Sequence, residues 1–252
     1  MAEPLLSVRG LCKSYGALQV TNGISLDIMA GELHAIIGPN GAGKTTLIQQ
    51  LAGSLGSDSG SVFYAGQDIT GAPTEQRVKL GIARSFQITS ILSGFSVLEN
   101  VALAVQARSG SSFRFAGRAD REAALNGQAM EVLSAVGLTE RALRLAGTLA
   151  HGEKRQLELA IALATRPALL LLDEPLAGAS HEECAALIVM LRALKRRHTI
   201  ILIEHDMEAV FALADRISVL VYGAVLVTGD PEAVRADARV REAYLGQEQG
   251  YG

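Results

Sequence analysis

The sequence predicts an α/β fold with a parallel sheet core, an antiparallel β subdomain and an inserted helical subdomain. One observation is the apolar run Leu33–Ile37, which leads through a glycine-rich turn into a helical pattern. A second is a pair of apolar runs of strand length at 168–172 and 199–203, typical of strands buried on both faces of a parallel sheet. A third is the segment of about 96–147, rich in Ala, Leu, Glu and Arg at helical spacing. Strand, turn and helix in this order open a parallel α/β unit.

The remaining elements follow from local patterns. A short apolar segment at 5–8 and the alternation of Ile24, Leu26 and Ile28 with polar residues predict half-exposed antiparallel strands. Residues 182–197 read as an amphipathic helix between the two later buried strands. We therefore expect one domain spanning residues 1–252. In it, residues 1–87 and 166–252 build the core with its β subdomain, and residues 88–165 build the helical subdomain.

Composition argues against several classes of protein. The 252 residues carry 23 Lys and Arg against 26 Asp and Glu, a net charge of -3. Binding to a nucleic-acid backbone needs a basic surface, so we expect no nucleic-acid partner. Two cysteines without a CxxC pair are typical of a reducing compartment. No apolar stretch approaches the roughly 20 residues of a membrane helix, so we expect a soluble chain.

The most specific motif is GPNGAGKT at residues 38–45, a full match to GxxxxGK[ST] between a strand and a helix. Glycines let the backbone turn so that several N–H groups face inward, and the helix that follows adds the positive end of its dipole. Lys44 supplies a charge for the β- and γ-phosphates, and the Thr45 hydroxyl can bind Mg²⁺. A glycine turn that binds nothing leaves this Lys-Thr pair unexplained. The predicted triphosphate-binding residues are Gly38, Pro39, Asn40, Gly41, Ala42, Gly43, Lys44, Thr45 and Thr46.

Acidic residues and a histidine follow two of the predicted buried strands. Asp173 and Glu174 end the run at 168–172, and His205 follows the run at 199–203. The carboxyl ends of parallel strands form the ligand-binding edge of such sheets. Asp173 is the candidate for holding Mg²⁺, Glu174 for orienting or deprotonating an attacking water, and His205 for a γ-phosphate contact. The alternative for Asp173 and Glu174 is an acidic pair that only stabilises a helix N-terminus.

Taken together, these motifs resemble the ATP-binding subunits of ABC transporters over nearly the whole chain. The segment LAHGE at 149–153 stands where that family has its LSGGQ signature. The resemblance implies that Tyr15 stacks on adenine and that Gln87, at the border of the helical insertion, contacts the nucleotide and Mg²⁺. It also implies that the signature contacts ATP held by a second, head-to-tail subunit through Ala150, His151, Gly152 and Glu153. We predict the helix after the signature to run from residue 154 to 164.

Two positions depart from the family pattern. Ala150 stands where a serine is usual, so a hydroxyl that would contact the γ-phosphate is missing. Ser180, in the D-loop at 178–180, stands where an aspartate is common. Both departures are compatible with a reduced rate of hydrolysis. Catalysis is still expected, because Gly152 and Glu174 are present.

The signature and the segments ARSFQ, EHDM and REAYLG resemble the ATPases of importers for branched-chain amino acids, urea and other small amides. This implies ATP and Mg²⁺ as cofactors, and a homo- or heterodimer of ATPase subunits. It also implies transmembrane permease subunits, an indirect periplasmic solute-binding partner, and a place on the cytoplasmic face of the bacterial inner membrane. Two alternatives stay open: the ATPase of a lipid or lipopolysaccharide exporter, and a soluble ABC-type scaffold ATPase.

Overall fold

The computed structural model describes residues 3–85, 91–108 and 119–248. The strands in these ranges are β1 (Leu6–Tyr15), β2 (Leu18–Ile28), β3 (Leu33–Ile37), β4 (Ser59–Tyr64), β5 (Gln67–Asp68), β6 (Ile82–Arg84), β7 (Leu169–Asp173), β8 (Thr199–Ile203), β9 (Arg216–Val221) and β10 (Ala224–Gly229). The α-helices are α1 (Lys44–Ala52), α2 (Thr74–Lys79), α3 (Val97–Arg108), α4 (Ala119–Ala135), α5 (His151–Ala164), α6 (His181–Lys195), α7 (Met207–Leu213), α8 (Pro231–Ala236) and α9 (Ala238–Glu248).

The described strands form two sheets, which confirms the predicted fold class. One sheet has the order β10-β9-β3-β8-β7-β6 and is parallel except for β10, which pairs antiparallel with β9. All residues of β3, β7 and β8 are buried, because helices cover both faces of a parallel sheet. The other sheet has the order β2-β1-β4-β5 and is antiparallel.

The antiparallel sheet is longer than the sequence pattern predicts. The predicted strand at 5–8 is the first part of β1, which continues to Tyr15. β1 pairs with β2 on one side and with β4 on the other. Backbone hydrogen bonds to these neighbours keep the later residues of β1 in a strand although they show no apolar alternation. The tip of the β1–β2 hairpin extends beyond the part of β1 that pairs with β4.

The helical segment packs against the parallel sheet and shares a core with it. Val101 of α3, Leu133 of α4 and Leu163 of α5 belong to the same buried cluster as Leu170 and Leu202. The subdomain boundaries given above stay a prediction.

The segment 96–147 is predicted to be helical apart from a loop at 109–112, which lies outside the described residues, and this prediction is wrong for the end of the segment. After α4 the chain makes two short 3₁₀ turns, Thr139–Arg141 and Ala146–Thr148. Between them it runs beside the start of α3: Val97 donates its backbone N–H to Arg144 O at 2.9 Å, and Ser96 pairs with Leu145. These bonds satisfy the backbone without a helix.

Candidate active site

Residues 38–45 form the loop between β3 and α1, as the motif predicts. Gly43 is the N-cap of α1 and has φ of 97°, and a Cβ there would collide with the carbonyl oxygen of Val20. The first turn of α1 has neither a side-chain cap nor an acidic residue. Its N–H groups and the positive end of the helix dipole therefore suit an anion such as a phosphate group.

Lys44 lies folded over this loop. Its Nζ donates to the carbonyl oxygens of Gly38 at 2.7 Å and Pro39 at 3.1 Å, and the residue is buried. Burial lowers the pKa of Lys44, while the carboxylates of Glu174 and Asp173 act in the opposite direction. The ammonium group is thus held inside the loop by the two carbonyl oxygens, within the electrostatic field of both predicted carboxylates.

The ends of the buried strands meet at one edge of the sheet. Asp173 pairs in register with Ile203, and Ile203 lies beside Ile36 on the other side. The segments that follow β3, β7 and β8 therefore start side by side. They carry the phosphate loop, Glu174 and His205, so the structure places Glu174 and His205 beside a loop that lies more than a hundred residues earlier in the sequence.

Asp173 has a buried side chain with one unused oxygen. Its Oδ2 accepts a hydrogen bond from Arg84 Nη2 at 3.0 Å, whereas its Oδ1 has no partner among the described residues. Burial raises the pKa of Asp173, and the charges of Arg84 and Lys44 oppose that rise. A buried carboxylate oxygen without a partner fits a hard cation such as Mg²⁺, which prefers oxygen ligands. The hydroxyl-bearing Thr45 is exposed at the start of α1.

Glu174 and His205 leave the sheet at this edge. Glu174 has φ of 50°, a left-handed conformation that is rare outside glycine, and its N–H donates to Ile203 O at 2.9 Å. Such conformations persist only where the surroundings hold them, and they are concentrated at functional sites. The His205 side chain is 63% exposed and so remains open to a ligand.

Two further residues of this edge were not predicted from the sequence. Arg84, at the end of β6, pairs with Asp173 across 89 positions of sequence. Glu204 is fully buried next to His205. Arg84 and Glu204 lie in the segments ARSFQ and EHDM that carry the subfamily resemblance, but neither was assigned a role; for Glu204 a further signal was a charged residue at the end of an apolar strand.

The signature segment begins α5 earlier than predicted. The helix starts at His151 rather than residue 154, because the Glu153 carboxylate accepts the Ala150 N–H at 3.0 Å and closes the first turn. Glu153 also accepts a hydrogen bond from Arg141 Nε at 2.6 Å, and this bond lowers the pKa of Glu153. Its side chain is thus engaged within the chain. The N-cap, Ala150, is exposed and has no side-chain acceptor.

Gly152 and His151 lie against other parts of the site. A Cβ on Gly152 would lie 2.6 Å from Glu183 Oε1, and that glutamate accepts the Ser180 N–H at 2.8 Å. The signature and the D-loop of one chain are therefore in close contact. His151 lines a cavity of about 240 Å³ together with Lys154, Asp173 and Glu174.

Tyr15 lies at the tip of the β1–β2 hairpin. Its ring is 51% exposed, and Lys13 Nζ lies 5.8 Å from the ring centroid. β2 passes beside Gly43, which places the hairpin next to the phosphate loop. An exposed aromatic face there suits stacking on a base. Gln87 lies outside the described residues.

Comparisons with known proteins agree with these observations. The family model for "ABC transporter" matches residues 21–177, and the model for "Branched-chain amino acid ATP-binding cassette transporter" matches residues 224–249. The chain is 38% identical over 259 residues to the high-affinity branched-chain amino acid transport ATP-binding protein LivG of Escherichia coli (strain K12), covering 98% of this chain and 100% of that protein. It is also 38% identical over 257 residues to BraF of Pseudomonas aeruginosa, which bears the same description, with the same coverage. A crystal structure of an ABC transporter ATP-binding cassette in its ADP conformation superposes with a TM-score of 0.84 at 28% identity, covering 97% of this chain and 100% of that one.

Proposed function

Since this chain belongs to the ATP-binding subunits of ABC transporters and is an ATPase of that family, we propose that it drives the import of branched-chain amino acids or related small amides across the bacterial inner membrane. The observation that carries the solute class is the identity to LivG and BraF over 98% of the chain, both of which are branched-chain amino acid transport proteins. The C-terminal match to the branched-chain family model supports the same class.

The residues at the sheet edge have different roles in ATP hydrolysis. The N–H groups of the phosphate loop and the Lys44 ammonium hold the triphosphate. Asp173 and Thr45 would hold Mg²⁺, with Gln87, and the ion when bound neutralises charge on the phosphate oxygens. Glu174 then accepts a proton from the attacking water, and the exposed His205 ring donates a hydrogen bond toward the γ-phosphate.

A head-to-tail partner completes each site. The N-terminus of α5 has exposed residues, Ala150 and His151, and no side-chain acceptor on its N-cap. Its N–H groups can receive the γ-phosphate of ATP that a second subunit holds, so that two helix N-termini share one triphosphate. Hydrolysis removes that shared charge and favours the open state, which converts ATP turnover into motion.

An exposed apolar patch on the helical segment is the surface that we assign to the permease. It consists of Leu92, Phe95, Leu143 and Leu145, which are 44–86% exposed. Backbone contacts join its two segments, since Ala146 donates its N–H to Phe95 O at 2.9 Å. Contiguous exposed apolar groups mark protein or membrane contacts. Within residues 3–85, 91–108 and 119–248, none of the helices could span a bilayer. We propose that permease subunits bound to this patch hold the chain at the cytoplasmic face of the membrane.

The test compares the wild-type chain, assembled with its permease and its solute receptor in proteoliposomes, with Lys44→Ala and Glu174→Gln variants. We expect ATP-dependent leucine uptake and ATP hydrolysis in the wild type. Both activities should be lost in the two variants, and Glu174→Gln should still bind ATP. Glu182→Gln, an exposed charge change on α6, is the matched control. Equal hydrolysis in all four proteins contradicts the assigned roles. Hydrolysis without uptake of any branched-chain amino acid or small amide contradicts the solute class.

A further inference from the structure

Glu204 is a fully buried carboxylate that the roles assigned above do not use. It directly follows β8 and precedes His205. Its two oxygens accept different backbone donors: Oε1 accepts the N–H of Leu176 at 2.7 Å, and Oε2 accepts the N–H of His205 at 3.1 Å. A buried charge is costly unless it is hydrogen-bonded in this way, so its presence needs a reason.

The two donors belong to the two segments that carry the reacting groups. Leu176 lies two residues after Glu174, and its side chain is anchored in an apolar cluster with Leu187 and Ala209. Glu174 itself is held on its other side by its N–H bond to Ile203 O. The strained left-handed backbone of Glu174 is therefore fixed between β8 and the Glu204 carboxylate.

The same carboxylate fixes the start of the turn that presents His205. Oε2 lies 3.7 Å from His205 Nδ1 in addition to receiving the backbone N–H. The carboxylate thus lies on the Nδ1 side of the ring, at a distance longer than a hydrogen bond, and the ring itself remains exposed. One side chain thus holds both the segment after Glu174 and the histidine.

We infer that Glu204 is a positioning residue for ATP hydrolysis, which sets the spacing between Glu174 and His205 without touching the nucleotide. This rests on the proposed ATPase function and adds a residue to it. A glutamine cannot replace it fully: a carboxylate accepts through both oxygens, whereas an amide accepts through one oxygen and presents N–H groups on the other side. In Glu204→Gln the backbone N–H of either Leu176 or His205 therefore meets the side-chain NH₂ group, which cannot accept its hydrogen bond.

The experiment measures the kcat and KM of MgATP hydrolysis for Glu204→Gln in the full chain with its permease. Glu208→Gln, an exposed carboxylate four residues further on, is the matched control. Since an error of about 1 Å in the position of a catalytic group costs roughly 100-fold in rate, we expect kcat to fall by about 10- to 100-fold. KM and the affinity for trinitrophenyl-ATP should stay within about twofold, because the phosphate loop is untouched. Glu204→Asp keeps both acceptor oxygens on a shorter side chain, and its kcat should lie between those of Glu204→Gln and the wild type.

Each outcome decides between the two proposals. A kcat of Glu204→Gln within about twofold of the control overturns the positioning role, and so does a loss of activity that matches a loss of trinitrophenyl-ATP binding. Should Glu204→Gln fail to fold, the kcat-to-KM split of Glu204→Asp decides by the same criteria. If the wild type does not hydrolyse ATP, the proposed function fails. Suppose instead that the wild type hydrolyses ATP, that Lys44→Ala does not, and that Glu204→Gln has the same kcat as the wild type. Then the proposed function stands and only the positioning role of Glu204 fails.

Discussion

The N-termini of α5 and α6 allow a direct comparison of an alanine and a serine at the N-cap of a helix. The N-cap residues Ala150 and Ser180 have almost the same backbone, with φ and ψ of −64° and 164° and of −67° and 165°. Each helix has a glutamate at its third position that reaches back to the N-cap N–H, at 3.0 Å from Glu153 and 2.8 Å from Glu183. They differ in that Ser180 Oγ accepts the Glu183 N–H at 3.3 Å, while Ala150 has no hydroxyl.

Ala150→Ser should therefore stabilise the protein and Ser180→Ala should destabilise it. A serine at an N-cap contributes about 1 kcal/mol relative to alanine. The existing glutamate already completes half of the capping box at α5, and the backbone needs no adjustment, so we expect the full effect. For a chain of this size about 1 kcal/mol corresponds to roughly 2–4 °C in Tm.

Thermal unfolding of the two variants and the wild type, without nucleotide, measures these shifts. Because Gly152 lies against Glu183, the two caps are neighbours, and the Tm of the double variant compared with the sum of the two single shifts measures their coupling. If Ser180→Ala lowers Tm but Ala150→Ser leaves it unchanged, the first turn of α5 is already satisfied and the reasoning is refuted. With MgATP added to a hydrolysis-deficient Glu174→Gln background, Ala150→Ser should also strengthen dimerisation, as light scattering would show. No change in dimerisation would argue against a phosphate contact at this N-terminus.

Three further predictions concern the phosphate loop, the core and the C-terminal region. Gly43→Ala should abolish trinitrophenyl-ATP binding, because its Cβ meets the Val20 carbonyl and its φ of 97° adds about 1–3 kcal/mol of strain; unchanged affinity would contradict this. Arg77→Met should lower the free energy of unfolding in urea by roughly 3 kcal/mol or more, because the buried guanidinium donates to five backbone carbonyls that lose their partner; a loss below about 1 kcal/mol would contradict this. The hydrogen bond from Arg239 lowers the pKa of Asp237 to about 2, so the stability that Asp237 contributes is present above about pH 4 and is lost as pH falls through about 2; an NMR titration in which Arg239→Ala leaves that pKa unchanged would refute the cause.

Much of the fold and the contiguous part of the candidate site could be predicted from local pattern. Residues 38–45 contain their own turn and helix start, so eight adjacent residues determine the loop. The carboxylates Asp173 and Glu174 were found because a buried strand ends at them. One predicted helix boundary failed because the deciding contact was with a distant segment: at residues 136–147 the chain pairs with the start of α3.

The sequence by itself determined which residues follow each buried strand and where the anion-binding turn lies, because these depend on neighbours a few positions away. Only the tertiary structure decided that Arg84 pairs with Asp173, that Glu204 holds the N–H of Leu176, and that the Arg77 guanidinium covers the end of α1. These partners lie 27 to 89 positions apart in sequence. The packing of the strands and helices brings these distant residues together. A buried charge without a partner is costly, so the same packing also determines which polar group each buried charged side chain must contact.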